Sequence, residues 1–402
     1  MNEAKIFELD ARAMETVRAF RKKRFAYETL KACEGRPFIL LVGPRGSGKS
    51  VLFRQLRTAL PDSLYISADT MDSADKLVTI VKTMFDRHSI KTFFIDEIRH
   101  FHNFDADLKE LHDFLPVRIF CTSSVAASLD HASYDLSRRV RPIRMGQCSF
   151  REYLHLALNL DLPPIGLNEL IGGNVAREYL AAAVHFPMYL QGAGYPFTFE
   201  PGTVLAQFEG IKEKIRLSDI PAADPGLSMR DLADIGKMLA FIGKSPIEGI
   251  NYNSLSQNLG ITKYMAERYV DILERSFLIR MVFPVGTNVL REPKIFLELP
   301  YRLLYLDYDV CIGALREDFF ALCMEQHGLS FSYAKSMRGE KIPDFFLEID
   351  GKRIILEVGG KGKGRSQFKG LDYDRKAVLY HSETVLDSSP ERIPLFLLGF
   401  AP

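Results

Sequence analysis

The stretch Gly43-Pro44-Arg45-Gly46-Ser47-Gly48-Lys49-Ser50 has the composition of an anion cradle. Glycines let a backbone curl until successive N–H groups point inward at one ligand. Lys49 adds a positive charge on a long stem, and Ser50 adds an oxygen of the kind that a hard divalent cation accepts. The residues expected to surround a polyphosphate are Gly43, Pro44, Arg45, Gly46, Ser47, Gly48, Lys49, Ser50 and Val51. Further on, Lys91-Thr92-Phe93-Phe94-Ile95-Asp96-Glu97 ends an apolar run in two adjacent carboxylates. An Asp there can hold Mg²⁺, directly or through water. A Glu beside it can polarise a water for attack on a terminal phosphate. A third run closes on Thr122-Ser123-Ser124. Its hydroxyls, represented by Ser123, could contact that water or phosphate, or cap a helix beginning near Ala126.

These groups need a frame. Phe38 to Val42 reads as a strand and Val51 to Leu56 as a helix, so the glycine loop lies between a strand and a helix. That is the order a phosphate-binding loop requires. The helix opening at Lys49 adds its positive dipole end. Ser63 to Ser67, Lys91 to Glu97 and Val117 to Ser124 are further short strands separated by helical segments. The alternation predicts a parallel α/β sheet. A parallel strand covered on both faces is apolar throughout, and its carboxyl end opens on the ligand crevice.

Bulk properties narrow the function classes. A chain of 402 residues predicts two or three domains, and 47% hydrophobic with 26% charged residues is ordinary for a soluble globular protein. The net charge of +1 excludes a global field that would steer the chain to nucleic acid or an anionic membrane, so such binding needs a local patch. Cys33, Cys121, Cys148, Cys311 and Cys323 are scattered and form no Cys-x-x-Cys pair. That suggests neither a disulfide framework nor a zinc site and fits a reducing cytoplasm. No secretory leader follows Met1, and no apolar run approaches the roughly 18 residues of a membrane span.

Residues 1–35 have a helical pattern, and the cluster Arg21-Lys22-Lys23-Arg24 reads as a solvated helical face leading into the first strand. After the fourth strand come Tyr134-Asp135-Leu136-Ser137-Arg138-Arg139-Val140-Arg141 and Ser149-Phe150-Arg151-Glu152-Tyr153-Leu154. The combination of GPRGSGKS, FFIDEIRHF, the Thr-Ser-Ser strand end, DLSRR and SFREYL resembles the prokaryotic AAA+ P-loop ATPases that carry a C-terminal domain of unknown function. The resemblance covers essentially the whole chain. The glycine loop is generic, whereas DLSRR and SFREYL are more specific to that family. It implies an ATP- and Mg²⁺-binding core over residues 36–160. It also implies that Arg138 or Arg139 is an arginine finger or nucleotide sensor, stabilising charge on the γ-phosphate. The alternative for both is pairing with surface carboxylates. AAA+ relatives often form rings in which an arginine acts on a neighbour's nucleotide, which implies a homo-oligomer.

Residues 161–228, punctuated by Pro163-Pro164, Gly172-Gly173 and Pro225-Gly226, read as a helical lid or connector. Residues 229–285 give helix, glycine turn at Gly260, helix and strand, the pattern of a winged helix. The exposed set Lys263, Tyr264, Glu267 and Arg268 is mixed in charge, so DNA reading and a packing role both stay open. Residues 290–402 contain a hairpin signal, Asp344 to Val358 around the Asp350-Gly351 turn. Asp344 and Glu357 lie at its open end, where their carboxylates could converge and, with Glu317, hold Mg²⁺ for phosphodiester hydrolysis. This resembles the PD-(D/E)-x-K nuclease core, a restriction-endonuclease-like α/β fold. The lysine of that pattern is Gly359 here. Lys361 or Lys363 could swing in, or the basic loop could simply bind a phosphate backbone. The expected function is a nucleotide-driven switch: Lys49 and an arginine hold the γ-phosphate, Ser50 and Asp96 the metal, and Glu97 activates water. The alternatives are an ATP-gated nuclease and a slow nucleotide-binding scaffold for a nucleic-acid or protein partner. A small-molecule kinase shares the loop but not the Asp-Glu pair.

Overall fold

The computed structural model describes residues 2–72, 75–125, 136, 138–172, 175–200, 202–285, 292–333, 344–359, 373–381 and 391–400. The chain divides into two compact units, Met1–Gln147 and Cys148–Pro402. Among the described residues no helix is long and apolar enough to cross a membrane.

The first unit is built on five parallel strands: β1 (Phe38–Val42), β2 (Ser63–Ser67), β3 (Thr92–Asp96), β4 (Arg118–Ser123) and β5 (Val140–Arg144). Their order in the sheet is β2-β3-β4-β1-β5. Every residue of β1 and β3 is buried, as strands covered on both faces must be. Helices α1 (Glu3–Val17), α2 (Ala26–Lys31), α3 (Lys49–Ala59), α4 (Leu77–His88) and α5 (Phe104–Phe114) accompany the sheet. The edge strand β5 was not expected from the sequence. Its residues Val-Arg-Pro-Ile-Arg are mostly exposed or half-buried, and Pro142 is tolerated because an edge strand has one side without a ladder.

Residues 1–35 are part of this unit. Arg57 of α3 donates to both oxygens of Asp10 in α1 at 3.0 Å each, and the same carboxylate accepts the Tyr65 N–H at 2.8 Å. The cluster Arg21–Arg24 is not a helical face. It lies in the irregular segment between α1 and α2, and Arg24 is buried. Arg21 and Lys23 are exposed, and Arg24 alone of the cluster is buried because backbone carbonyls of Ser47 and Gly146 accept from its guanidinium.

The second unit begins with α6 (Phe150–Leu158), capped by Ser149, whose side chain accepts the Glu152 N–H. Short helical segments follow. Then come α7 (Met229–Lys244), α8 (Tyr252–Leu259), α9 (Lys263–Arg275) and an antiparallel ribbon of β6 (Ile279–Val282) with β7 (Lys294–Leu297). Ser228 and Asp231 form a reciprocal cap on α7, Gly260 ends α8 in the left-handed region, and Thr262 caps α9. Helix α10 (Tyr308–Gln326) precedes a five-stranded mixed sheet of β8 (Phe331–Ser332), β9 (Phe345–Ile349), β10 (Lys352–Gly359), β11 (Arg375–Tyr380) and β12 (Arg392–Pro394). β8, β9 and β10 pair antiparallel, whereas β10, β11 and β12 pair parallel. The second unit begins at Cys148, and within it Phe150 packs against Phe186, Tyr189, Phe396 and Phe400 with ring centroids 5.4–5.9 Å apart.

Candidate functional site

The glycine loop follows β1 directly. Gly46 and Gly48 take φ of 82° and 92°, a region that side-chain-bearing residues avoid, and this lets α3 start at Lys49. Gly43 is required for a different reason. A Cβ there would stand 1.9 Å from the carbonyl oxygen of Met145. Lys49 is buried, and its Nζ donates to the carbonyls of Gly43 at 2.7 Å and Pro44 at 2.9 Å, so the ammonium lies within the loop. The Ser47 hydroxyl is fully buried with no hydrogen-bond partner among the described residues. Val51 and Ser50 belong to the first turn of α3, where backbone N–H groups have no helical acceptor.

The loop is braced from the N-terminal segment. Arg24 donates through Nη1 to the Ser47 carbonyl and through Nη2 to the Gly146 carbonyl at 3.2 Å. Gln55 of α3 fixes that segment by donating to the carbonyls of Phe20 and Lys22, both at 2.8 Å. Nothing in the sequence pattern marks this contact, since both acceptors of Arg24 are backbone oxygens remote in the chain.

Strand β4 separates β1 from β3, so the loop and the acid pair stand two strand spacings apart, about 10 Å. Asp96 is buried at the end of β3 and accepts a hydrogen bond on each oxygen. Thr122 Oγ1 donates to Oδ1 at 2.6 Å, and the Tyr65 hydroxyl of β2 donates to Oδ2 at 2.7 Å. Burial, reinforced by the Asp96 charge, pushes the Tyr65 phenol far above its ordinary value and keeps it a donor. Glu97 follows in the left-handed region at φ 52°, an uncommon conformation for a residue with a side chain. Its N–H donates to Thr122 Oγ1 at 2.8 Å and its Oε2 accepts from Ser124 Oγ at 3.1 Å. Arg45 of the loop approaches Oε1 to 3.9 Å.

Of the three hydroxyls at the end of β4, Thr122 and Ser124 thus address the acids. Ser123 bonds locally: its Oγ donates to the Val125 carbonyl at 2.9 Å and accepts the Val125 N–H at 3.3 Å. Alternation along a strand accounts for the split, because residues two apart share a face. The helix expected near Ala126 lies outside the described residues.

Arg139 makes a two-pronged bond to Asp113 of α5, Nε and Nη2 each at 2.8 Å from a carboxylate oxygen. This guanidinium, with His112, holds the Asp113 carboxyl well below the usual range. The Arg139 carbonyl accepts the Phe38 N–H at 2.7 Å. Arg139 and the exposed Arg138 are therefore at the amino end of β1, whereas the phosphate loop leaves its carboxyl end. The five residues of β1 place about 16 Å between the two ends.

In the second unit, Asp344 and Glu357 come together as the hairpin register requires. The Asp344 N–H donates to Glu357 Oε2 at 3.3 Å, and Asp344 Oδ2 accepts the Val358 N–H at 2.9 Å. Glu317 does not complete a metal site with them: among the described residues no group of three metal-ligating side chains forms. Consecutive helical residues project about 100° apart. The fully buried carboxylate of α10 is the next residue, Asp318, which takes both Nε (2.7 Å) and Nη2 (3.2 Å) of Arg302. Lys361 and Lys363 lie outside the described residues. On α9, Lys263 pairs with Glu292 at 2.5 Å and Arg268 with Asp224 at 2.7 Å, so two of the cations expected on an exposed face already have carboxylate partners.

Residues 35–154 match a protein family described as an AAA domain, and residues 194–297 match one described as a domain of unknown function (DUF8612). The chain is 28% identical over 397 residues to the uncharacterized protein MJ1637 of Methanocaldococcus jannaschii, covering 87% of this chain and 83% of that protein. Among solved structures it is similar to the Aeropyrum pernix ORC1 protein in complex with DNA (9% identity, TM-score 0.32, covering 78% of this chain and 93% of that one). It is also similar to AMPPCP-bound DnaA from Aquifex aeolicus (14%, TM-score 0.24, covering 65% and 86%) and to C. elegans PCH-2 (18%, TM-score 0.25, covering 68% and 70%). TM-scores this low carry no argument about overall arrangement or ligands. The first unit thus carries an AAA-type domain on a five-stranded parallel α/β sheet.

Proposed function

We propose that the first unit binds ATP with Mg²⁺ and hydrolyses it, and that the protein works as a nucleotide-driven switch in a reducing cytoplasm. The observation that carries this reading is the Lys49 ammonium held inside a glycine loop, across β4 from the buried Asp96 and the neighbouring Glu97. Phosphate oxygens can replace the Gly43 and Pro44 carbonyls as acceptors for Lys49, exchanging neutral partners for charged ones. Ser50 and Asp96 supply only oxygen donors, which suits a hard cation, and the metal would neutralise charge on the phosphates. Asp96 keeps lone pairs beyond the two it gives to Thr122 and Tyr65. Glu97 takes the proton of the attacking water, while Ser124 and Arg45 orient its carboxylate. Arg138 and Arg139 stand too far from the loop of their own chain, so an arginine acting on the γ-phosphate would be presented to a second copy, with exposed Arg138 the better placed. The five cysteines are buried thiols outside any disulfide, which suits a reducing compartment. The α7–α9 helices with the β6–β7 ribbon act as a winged-helix packing module, and the C-terminal sheet as a binding surface for a protein or nucleic-acid partner rather than a live nuclease.

The test is titration of a fluorescent ATP analogue. Wild-type protein is expected to bind it, and Lys49→Ala to weaken binding at least tenfold. Absence of binding by the wild type, or equal binding by Lys49→Ala, would overturn the reading.

A further inference from the structure

One continuous chain of hydrogen bonds links the helix that carries Lys49 and Ser50 to both acids. Arg54 of α3 donates through Nη2 to the Tyr65 hydroxyl at 3.3 Å, and its guanidinium lies over the Tyr65 ring at 5.1 Å from the centroid. Tyr65 donates to Asp96 Oδ2, Thr122 donates to Asp96 Oδ1, and the Glu97 N–H donates to Thr122. Tyr65 is 3% exposed, Asp96 5% and Thr122 0%, so water does not compete for these bonds. Two donors on opposite oxygens fix the rotation of the carboxylate plane, which a single donor would leave free to swing.

We propose that Tyr65 is a positioning residue that sets how Asp96 presents its remaining lone pairs to a divalent cation bound with nucleotide. The proposal rests on the reading of the loop as a nucleotide site and adds a role for a residue on a neighbouring strand. Packing alone does not account for a tyrosine here, since phenylalanine would fill the same volume but leave Asp96 Oδ2 without its donor. Arg54 extends the effect to α3: a shift of that helix when the loop takes phosphate would be transmitted through one hydroxyl to the acid.

The experiment is Mn²⁺ binding to the protein–ADP complex, followed by electron paramagnetic resonance, for wild type and Tyr65→Phe. The expected result is about tenfold weaker Mn²⁺ binding in Tyr65→Phe, while ADP binding in excess EDTA stays within about twofold of wild type. Turnover should recover in part at high Mg²⁺. A merely structural tyrosine would lower the thermal midpoint and leave the Mn²⁺ affinity of the folded complex unchanged, and that outcome would overturn the proposal. Where Tyr65→Phe does not fold, Arg54→Met is read in the same assay. About threefold weaker Mn²⁺ binding is expected, and no change would overturn the proposal. Failure of the wild type to bind ADP would instead remove the nucleotide reading itself, so the two failures are distinguishable.

Discussion

Asp96 with Glu97 in the first unit and Asp344 with Glu357 in the second are both carboxylate pairs at strand ends, but their oxygens are engaged differently. Asp96 accepts from two side-chain hydroxyls, and Glu97 from a third, with the Arg45 guanidinium 3.9 Å away. Asp344 instead accepts a backbone N–H of the opposing strand and returns its own N–H to Glu357, which closes the open end of the hairpin. Sequence adjacency brings Asp96 and Glu97 together, whereas strand register brings Asp344 to Glu357. Among the described residues, the first pair has a glycine loop with a buried lysine across one strand, and the second pair has no such neighbour. What sets the two pairs apart is therefore what the neighbouring described residues offer their oxygens: side-chain hydroxyls for one, backbone N–H groups for the other.

The largest test of this contrast is Glu97→Gln, expected to cut phosphate release by about a hundredfold or more while ATP stays bound. Asp344→Asn should leave phosphate release unchanged, and equal losses from both would break the comparison. A second test reads the units through pH. His381 in the C-terminal unit is pushed down to about 4 by burial and by Arg316, whose Nε donates to its Nδ1 at 3.1 Å. The unfolded chain takes up that proton near the ordinary histidine value of 6.5, so stability contributed by the neutral ring is intact above that pH and is lost as pH falls toward 4. At pH 5 the loss should be on the order of 2 kcal/mol, read as a shift in the urea midpoint that His381→Gln does not show. Third, Arg24→Ala should weaken ATP-analogue binding by about tenfold through a loosened loop, with Arg24→Lys restoring part of it. An unchanged affinity would remove the brace from the site. The smallest effect belongs to Asp344→Ala, which should destabilise the second unit by about 1 kcal/mol in equilibrium unfolding and leave nucleotide binding untouched.

The legible parts of the site were those that announce themselves by composition. Apolar runs marked β1 to β4, glycines marked the loop, and Asp96-Glu97 interrupted an apolar strand. β5 went unread because an edge strand keeps polar residues and a proline that mimic a loop. Tyr65, and the bond of Thr122 to Asp96, were hidden for the opposite reason: both residues are ordinary strand formers, and their acid partner depends on which strands become neighbours. Strand alternation was a usable signal for the hydroxyls, since assigning Thr122 to the acid face carries Ser124 with it and turns Ser123 away. Arg24 left no trace in the sequence, because its partners are carbonyls that every residue possesses. The buried Asp318 lies one residue beyond the half-buried Glu317 on the same helix, and the sequence pattern does not mark that its carboxylate pairs with Arg302.

Where the chain leaves β5 it is stitched into the foot of the phosphate loop. The Met145 N–H is bonded to the Val42 carbonyl at 2.8 Å, the Met145 carbonyl fills the space a side chain on Gly43 would need, and the next carbonyl receives Arg24. Any displacement of Met145 therefore reaches Gly43 through backbone alone, before any rotamer has to change.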